Sequence, residues 1–134
     1  MPLVKVSLRD TNPAAADSES KKKLFDILHT ALVEIFKIPD FDRSQRLDIY
    51  STDDMEISTN RTPDSVLIEI TVFPGRKTET KKKLYRRLAD DISAGFGIPV
   101  NDISIVLYEP GLECWGIRGG QIASETDIGF DLNV

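Results

Sequence analysis

The chain repeats itself once, and that repeat restricts the fold more than any other feature of the sequence. Glu19-Ser20-Lys21-Lys22-Lys23-Leu24-Phe25 returns as Glu79-Thr80-Lys81-Lys82-Lys83-Leu84-Tyr85, an offset of 60 residues. The register then holds without a gap. Leu28 falls on Leu88, Phe36 on Phe96, Ile38-Pro39 on Ile98-Pro99, and Asp42 on Asp102. Self-similarity of this length marks two copies of one supersecondary unit.

Each copy reads as strand, helix, strand. In the first, Val4, Val6 and Leu8 alternate as on a half-buried strand. A loop through Asn12-Pro13 leads to a helix from about Ser18 to Phe36. Leu24, Leu28, Ala31, Leu32 and Ile35 there share one helical face, and Asp17 or Ser18 can cap the start. Pro39 stops the helix, and Leu47 and Ile49 mark a returning strand. In the second copy Val66, Ile68, Ile70 and Val72 line one strand face, and Pro74-Gly75 makes the turn. A helix capped by Thr78 is expected from Glu79 to Phe96, ended by Gly97 and followed by a strand through Ile103, Ile105 and Leu107.

One domain over residues 1–134 is therefore expected: a first repeat at about 2–50, a polar connection at 51–65, a second repeat at about 66–109, and a tail at 110–134, with turn residues at Gly116, Gly119 and Gly120, whose composition lets it interlock with a neighbouring copy. A short strand is expected around Met55 to Ile57. The fold class is α+β, a four-stranded mixed sheet with two helices, and right-handed crossovers put both helices on one face. The opposite face mixes Leu3, Leu67, Phe73, Val106 and Tyr108 with Lys5, Glu69 and Thr71, and a partly apolar open face predicts self-association.

The composition narrows the partners. A net charge of −5 counts against non-specific nucleic-acid binding, and the two Lys-Lys-Lys runs lack interleaved aromatic residues. One His and one Cys are too few soft ligands for a structural zinc. No apolar run approaches the roughly 18 residues of a membrane span, and Met1 to Asp10 does not read as a signal peptide. The lone Cys114 has no internal partner, so a reduced, cytoplasmic setting without membrane or nucleic-acid partners is expected.

Met1-Pro2 directly before the first strand of tandem β-α-β units resembles the tautomerase superfamily. Pro74-Gly75-Arg76-Lys77-Thr78-Glu79 is similar to that superfamily's Gly-Arg-Ser/Thr turn. The stretches His29 to Val33 and Phe36 to Arg43 resemble malonate semialdehyde decarboxylases and their relatives. The run Glu113-Cys114-Trp115-Gly116-Ile117-Arg118-Gly119 is similar to the ending of tautomerase-like bacterial proteins.

The chemistry starts at Pro2. Methionine aminopeptidases remove Met1 when a small residue follows, leaving a secondary amine as the terminus. An α-amino group has a reference pKa near 8, lowered by an apolar pocket or nearby cations. Neutral, the prolyl nitrogen is a general base that carries a proton between carbon and oxygen; protonated, it is a general acid. The resemblance implies the first mode for tautomerases and the second for decarboxylases and hydratase-type dehalogenases, none needing a cofactor or a metal.

The resemblance also implies that Arg76 binds a substrate carboxylate, for which a guanidinium offers paired donors. It implies that Asp42 positions water or orients substrate, although its repeat mate Asp102 leaves a turn-ending role open. It brings His29 to the substrate, where a packed helix histidine is the alternative. Trp115 stands as pocket wall or as interface core, and Arg118 as a further cation. The chain departs from the decarboxylases at Pro74, where they carry the first of two arginines; this argues against decarboxylation and dehalogenation. Tautomerisation of a small 2-keto acid or its enol, in a homotrimer, is the expected function. A decarboxylase or hydratase of the same superfamily, or a non-catalytic ligand-binding module, is the alternative.

Overall fold

Strict alternation of β-branched and leucine side chains along two strands dictates one dry sheet face, and the two amphipathic helices cover it. The computed structural model describes residues 1–134. In chain order it has β1 (Leu3–Arg9), α1 (Ser18–Phe36), β2 (Ser44–Tyr50), β3 (Val66–Thr71), α2 (Thr78–Phe96) and β4 (Ile103–Tyr108). A short hairpin follows, β5 (Gly116–Ile117) with β6 (Gln121–Ile122). The four long strands lie in the order β2-β1-β3-β4. Within each repeat the strands run parallel, and β1 and β3 join the repeats antiparallel, Lys5 opposite Glu69. The expected four-stranded mixed α+β sheet is the observed one.

Leu24, Leu28, Leu32 and Phe36 of α1 and Leu84, Leu88 and Ile92 of α2 pack with Val4, Val6, Leu8, Ile68 and Ile70 in one shared core. Every one of these side chains is 0–1% exposed. Truncating any of the leucines to Ala is the kind of change that costs about 2–5 kcal/mol. The uncovered face carries Lys5 between Asp48 (3.6 Å) and Glu69 (4.0 Å), and the Tyr108 hydroxyl donates to Glu69 at 2.9 Å. Apolar Val106 remains exposed among these charges.

The helix ends obey local chemistry, with one correction. The Asp17 carboxylate accepts from the Ser20 backbone N–H at 2.8 Å, capping α1 as expected. Thr78, by contrast, is the first helical residue of α2 and not its cap; Lys77 holds the cap position and offers no side-chain bond. The Val134 carbonyl accepts from the Lys77 N–H (3.1 Å) and from the Thr80 hydroxyl (2.8 Å). Both helices stop in a left-handed residue, Gly97 at φ 71° and Lys37 at φ 59°, the second at a steric cost that glycine avoids.

No strand forms around Met55 to Ile57. The Met55 carbonyl accepts instead from Arg9 Nε at 2.9 Å, and Asn12 Nδ2 donates to the Asp64 carbonyl at 2.9 Å. Side chains of β1 and of the loop after it thus pin the 51–65 connection through its main-chain carbonyls. The tail folds onto its own chain. Trp115, Ile117 and Ala123 bury against Phe73, with Met1, Leu3, Phe130 and Leu132 around them, in a second small apolar cluster. Close packing there reaches Gly75 (φ 131°), where an added Cβ would lie 3.0 Å from Leu132 Cβ.

Candidate active site

Four segments converge where β1 begins. The chain start runs into β1 with Pro2 buried. The loop after α1 delivers Phe41 and Asp42, β3 runs out to Phe73, and the β5–β6 hairpin with the tail supplies Ile117, Arg118, Ile128 and Phe130. Together with Met1 these residues line a cavity of about 200 Å³. Six of its eight lining residues are apolar, so its side-chain charge sits on Asp42 and Arg118. A larger, shallow groove of about 1010 Å³ runs along α2 and β4 and shares no residue with it.

Asp42 Oδ2 accepts a hydrogen bond from the terminal ammonium of Met1. The repeat supplies the comparison. Asp42 and Asp102 close the same turn, their N–H groups donating to Pro39 and Pro99 carbonyls at 3.0 and 2.9 Å. Their carboxylates have diverged. Asp102 is 3% exposed and accepts from the Thr62 N–H (3.1 Å) and the Thr62 hydroxyl, fastening the connection to the start of β4. One copy of the aspartate holds the fold; the other faces the chain terminus.

Arg118 holds φ 47°, a left-handed conformation outside glycine that costs on the order of 1 kcal/mol or more. Gly119 and Gly120, at φ 82° and 101°, complete the turn. Nη1 donates to the Asp127 carbonyl at 2.7 Å, which ties the hairpin to the tail and leaves the rest of the planar donor fork free of protein hydrogen bonds.

Three other candidates lie outside the cavity wall. Arg76 is 5% exposed and turned into the protein. Its Nη1 and Nη2 donate to the carbonyls of Phe73 (3.2 Å) and Phe36 (3.1 Å), and its guanidinium lies 4.8 Å from the Phe36 ring and 5.7 Å from the Phe130 ring. Burial pushes this guanidinium below its ordinary pKa, and the charges of Glu109 and Asp131 oppose the shift. His29 is also buried, its Nε2 bonded to the Asp40 carbonyl at 2.8 Å. Trp115 stands behind the wall, edge-on to Phe73 at 4.8 Å, its indole N–H donating to the Pro110 carbonyl at 3.1 Å. The sequence reasoning did not single out Phe41, Ile128 or Phe130 as lining residues. Only Phe41 carried a local signal, beside Asp42 in the loop after α1.

A terminal amine paired with a carboxylate at an apolar cavity thus sits at one end of a duplicated β-α-β sheet. Comparison with known proteins shows the family. The family model described as tautomerase enzyme matches residues 42–118. The chain is 31% identical over 126 residues to the probable tautomerase YrdN of Bacillus subtilis (strain 168), covering 90% of this chain and 94% of that protein. It therefore belongs to the tautomerase enzyme family. The probable tautomerase YusQ of the same organism is 28% identical over 126 residues, covering 90% of this chain and 96% of its own. A crystal structure of malonate semialdehyde decarboxylase superposes with a TM-score of 0.77 at 25% identity, covering 90% of this chain and 93% of that one. Native fused 4-OT shares the fold, with a TM-score of 0.79 at 20% identity over 91% of this chain and 96% of its own. No helix of this chain is long and apolar enough to cross a membrane.

Proposed function

We propose that this chain is a cofactor-independent tautomerase-type isomerase acting on small 2-keto acids and their enols, with the amine of Pro2 moving the proton. The observation that carries this reading is the Asp42 carboxylate on the Met1 ammonium, one residue before Pro2, at an apolar cavity that Arg118 also lines. Removal of Met1 makes the nitrogen of Pro2 the terminus and frees the volume that the Met1 side chain occupies. The amine takes the proton of the enol hydroxyl and returns a proton to the adjacent carbon, which yields the ketone with no net change in protons. Asp42 orients the amine and stabilises its charged form. The Arg118 fork binds the substrate carboxylate, and Phe73, Ile117 and Phe130 cover the carbon skeleton and exclude water. Arg76 lies outside the cavity wall with Nη1 and Nη2 on two main-chain carbonyls and a buried Nε–H without a partner, and it serves the wall and not the substrate.

A homotrimer is part of this proposal. Two fused 4-OT relatives of the same fold are described as trimers, and the helix-free sheet face of this chain leaves Val106 and Tyr108 39% and 46% exposed. The test of the reaction class is turnover of phenylenolpyruvate, 2-hydroxymuconate and malonate semialdehyde by the protein without Met1. Enol–keto conversion faster than decarboxylation supports the proposal; faster decarboxylation of malonate semialdehyde refutes it in favour of lyase chemistry.

A further inference from the structure

We propose that His29 is a positioning residue: through the main-chain carbonyl of Asp40 it fixes the loop after α1 so that Asp42 faces the terminal amine. The inference rests on the role of Asp42 given above. His29 lies in α1 and is 5% exposed, and its Nε2 is 2.8 Å from the Asp40 carbonyl. A carbonyl only accepts, so the imidazole carries a proton on Nε2. The Asp40 carboxylate, 3.5 Å away, is 96% exposed and gives the ring no buried partner. The ring does not line the cavity.

The duplication supplies an internal control. The residue at the offset of 60 from His29 is Ala89. The second loop nevertheless closes the same turn, Asp102 N–H on the Pro99 carbonyl at 2.9 Å against 3.0 Å for Asp42 and Pro39. The turn itself needs no histidine. What differs is how each carboxylate is held. Asp102 has two donors from Thr62, whereas Asp42 has the terminal ammonium and no other protein donor. Only its backbone can then hold it in place, and His29 ties that backbone to α1 two residues upstream. Support of this indirect kind is what a group needs when its own partner takes part in the reaction.

The experiment compares His29→Ala, His29→Gln, Asp42→Asn and the double variant His29→Ala/Asp42→Asn in the full chain, with phenylenolpyruvate as the probe. His29→Ala should lower kcat by about 10- to 100-fold with KM unchanged to within about twofold. Gln keeps an N–H donor and should recover most of the loss. The double variant should be no slower than Asp42→Asn alone, because both changes act through one carboxylate. A selective rise in KM, additive losses, or a Gln variant as slow as Ala would overturn the proposal in favour of substrate contact. As the only histidine, His29 can also be read directly by nitrogen NMR of the imidazole. The Nε2–H tautomer is expected, and the Nδ1–H tautomer overturns the proposal whatever the kinetics show. Failure of the underlying role has its own signature: Asp42→Asn turning over at the wild-type rate, which removes Asp42 from the chemistry and overturns the inference with it.

Discussion

Replacing Arg76 by Met keeps most of the aliphatic bulk of the side chain and removes its charge and every donor. Two buried carbonyls, of Phe36 and Phe73, then lose their guanidinium partner. An unsatisfied buried acceptor costs about 1–3 kcal/mol, so the pair costs about 2–6. Loss of the stacking on Phe36 and Phe130 adds about 0.5–1 kcal/mol for each ring. Against this stands relief of the guanidinium's own desolvation, the cause that lowers its pKa. A net loss of about 3 kcal/mol follows. At about 2.1 cal/mol/K of unfolding entropy per residue over 134 residues, the midpoint should fall by about 10 °C. The assay is thermal unfolding at fixed protein concentration, followed by the fluorescence of the single tryptophan, Trp115, which packs on Phe73 beside the affected carbonyl. Kinetics on the folded fraction completes it. A variant within about 0.5 kcal/mol of wild type, with KM raised for acid substrates and spared for uncharged ones, would refute this reasoning and make Arg76 the carboxylate ligand.

Thr62→Val should destabilise the chain by about 2 kcal/mol in urea unfolding, because the buried Asp102 carboxylate loses the hydroxyl donor while the backbone donor remains. Asp17→Asn bears on acid stability. Hydrogen bonding to the Ser20 backbone holds the Asp17 carboxyl below its ordinary 3.8, so its contribution is present above that value and is lost as pH falls through the lowered one. The Asn variant caps without titrating, and its stability should fall less than wild type's below pH 3.8 in a pH series of unfolding midpoints. Size exclusion with light scattering should give about three times the chain mass; an active monomer at low concentration would remove the trimer from the proposal.

The repeat made both β-α-β units legible, because helix and strand periodicities and capping chemistry are local. The placement of both helices on one sheet face followed from crossover handedness, whereas the strand order β2-β1-β3-β4, with the repeats joined antiparallel through β1 and β3, was not legible in the pattern. Thr78 looked like a cap, but α2 begins at Thr78 itself and Lys77 holds the cap position with no side-chain bond. A further error arose where a distant segment set the outcome. Met55 to Ile57 alternated like a strand, but Arg9 holds the Met55 carbonyl. The hairpin after Trp115 was visible only as turn glycines. In the site, Asp42 and Arg118 share the cavity, whereas Arg76 turns inward. A Gly-Arg turn specifies where the side chain leaves the backbone, and the rings of Phe36 and Phe130 decide which way it bends. Two aspartates in equivalent loops were indistinguishable by spacing; the threonine that separates their roles lies in the connection, outside the repeat.

The most direct measurement is the turnover of Pro2→Ala against wild type on phenylenolpyruvate, both proteins confirmed by intact mass to lack Met1. Alanine leaves a primary amine of different basicity and greater freedom on the same strand. If the prolyl nitrogen moves the proton, turnover should fall by about 10²–10⁴-fold, with the fold and the thermal midpoint retained. Near-wild-type turnover by the variant, or full activity in wild-type protein that still carries Met1, would contradict a catalytic amine at Pro2.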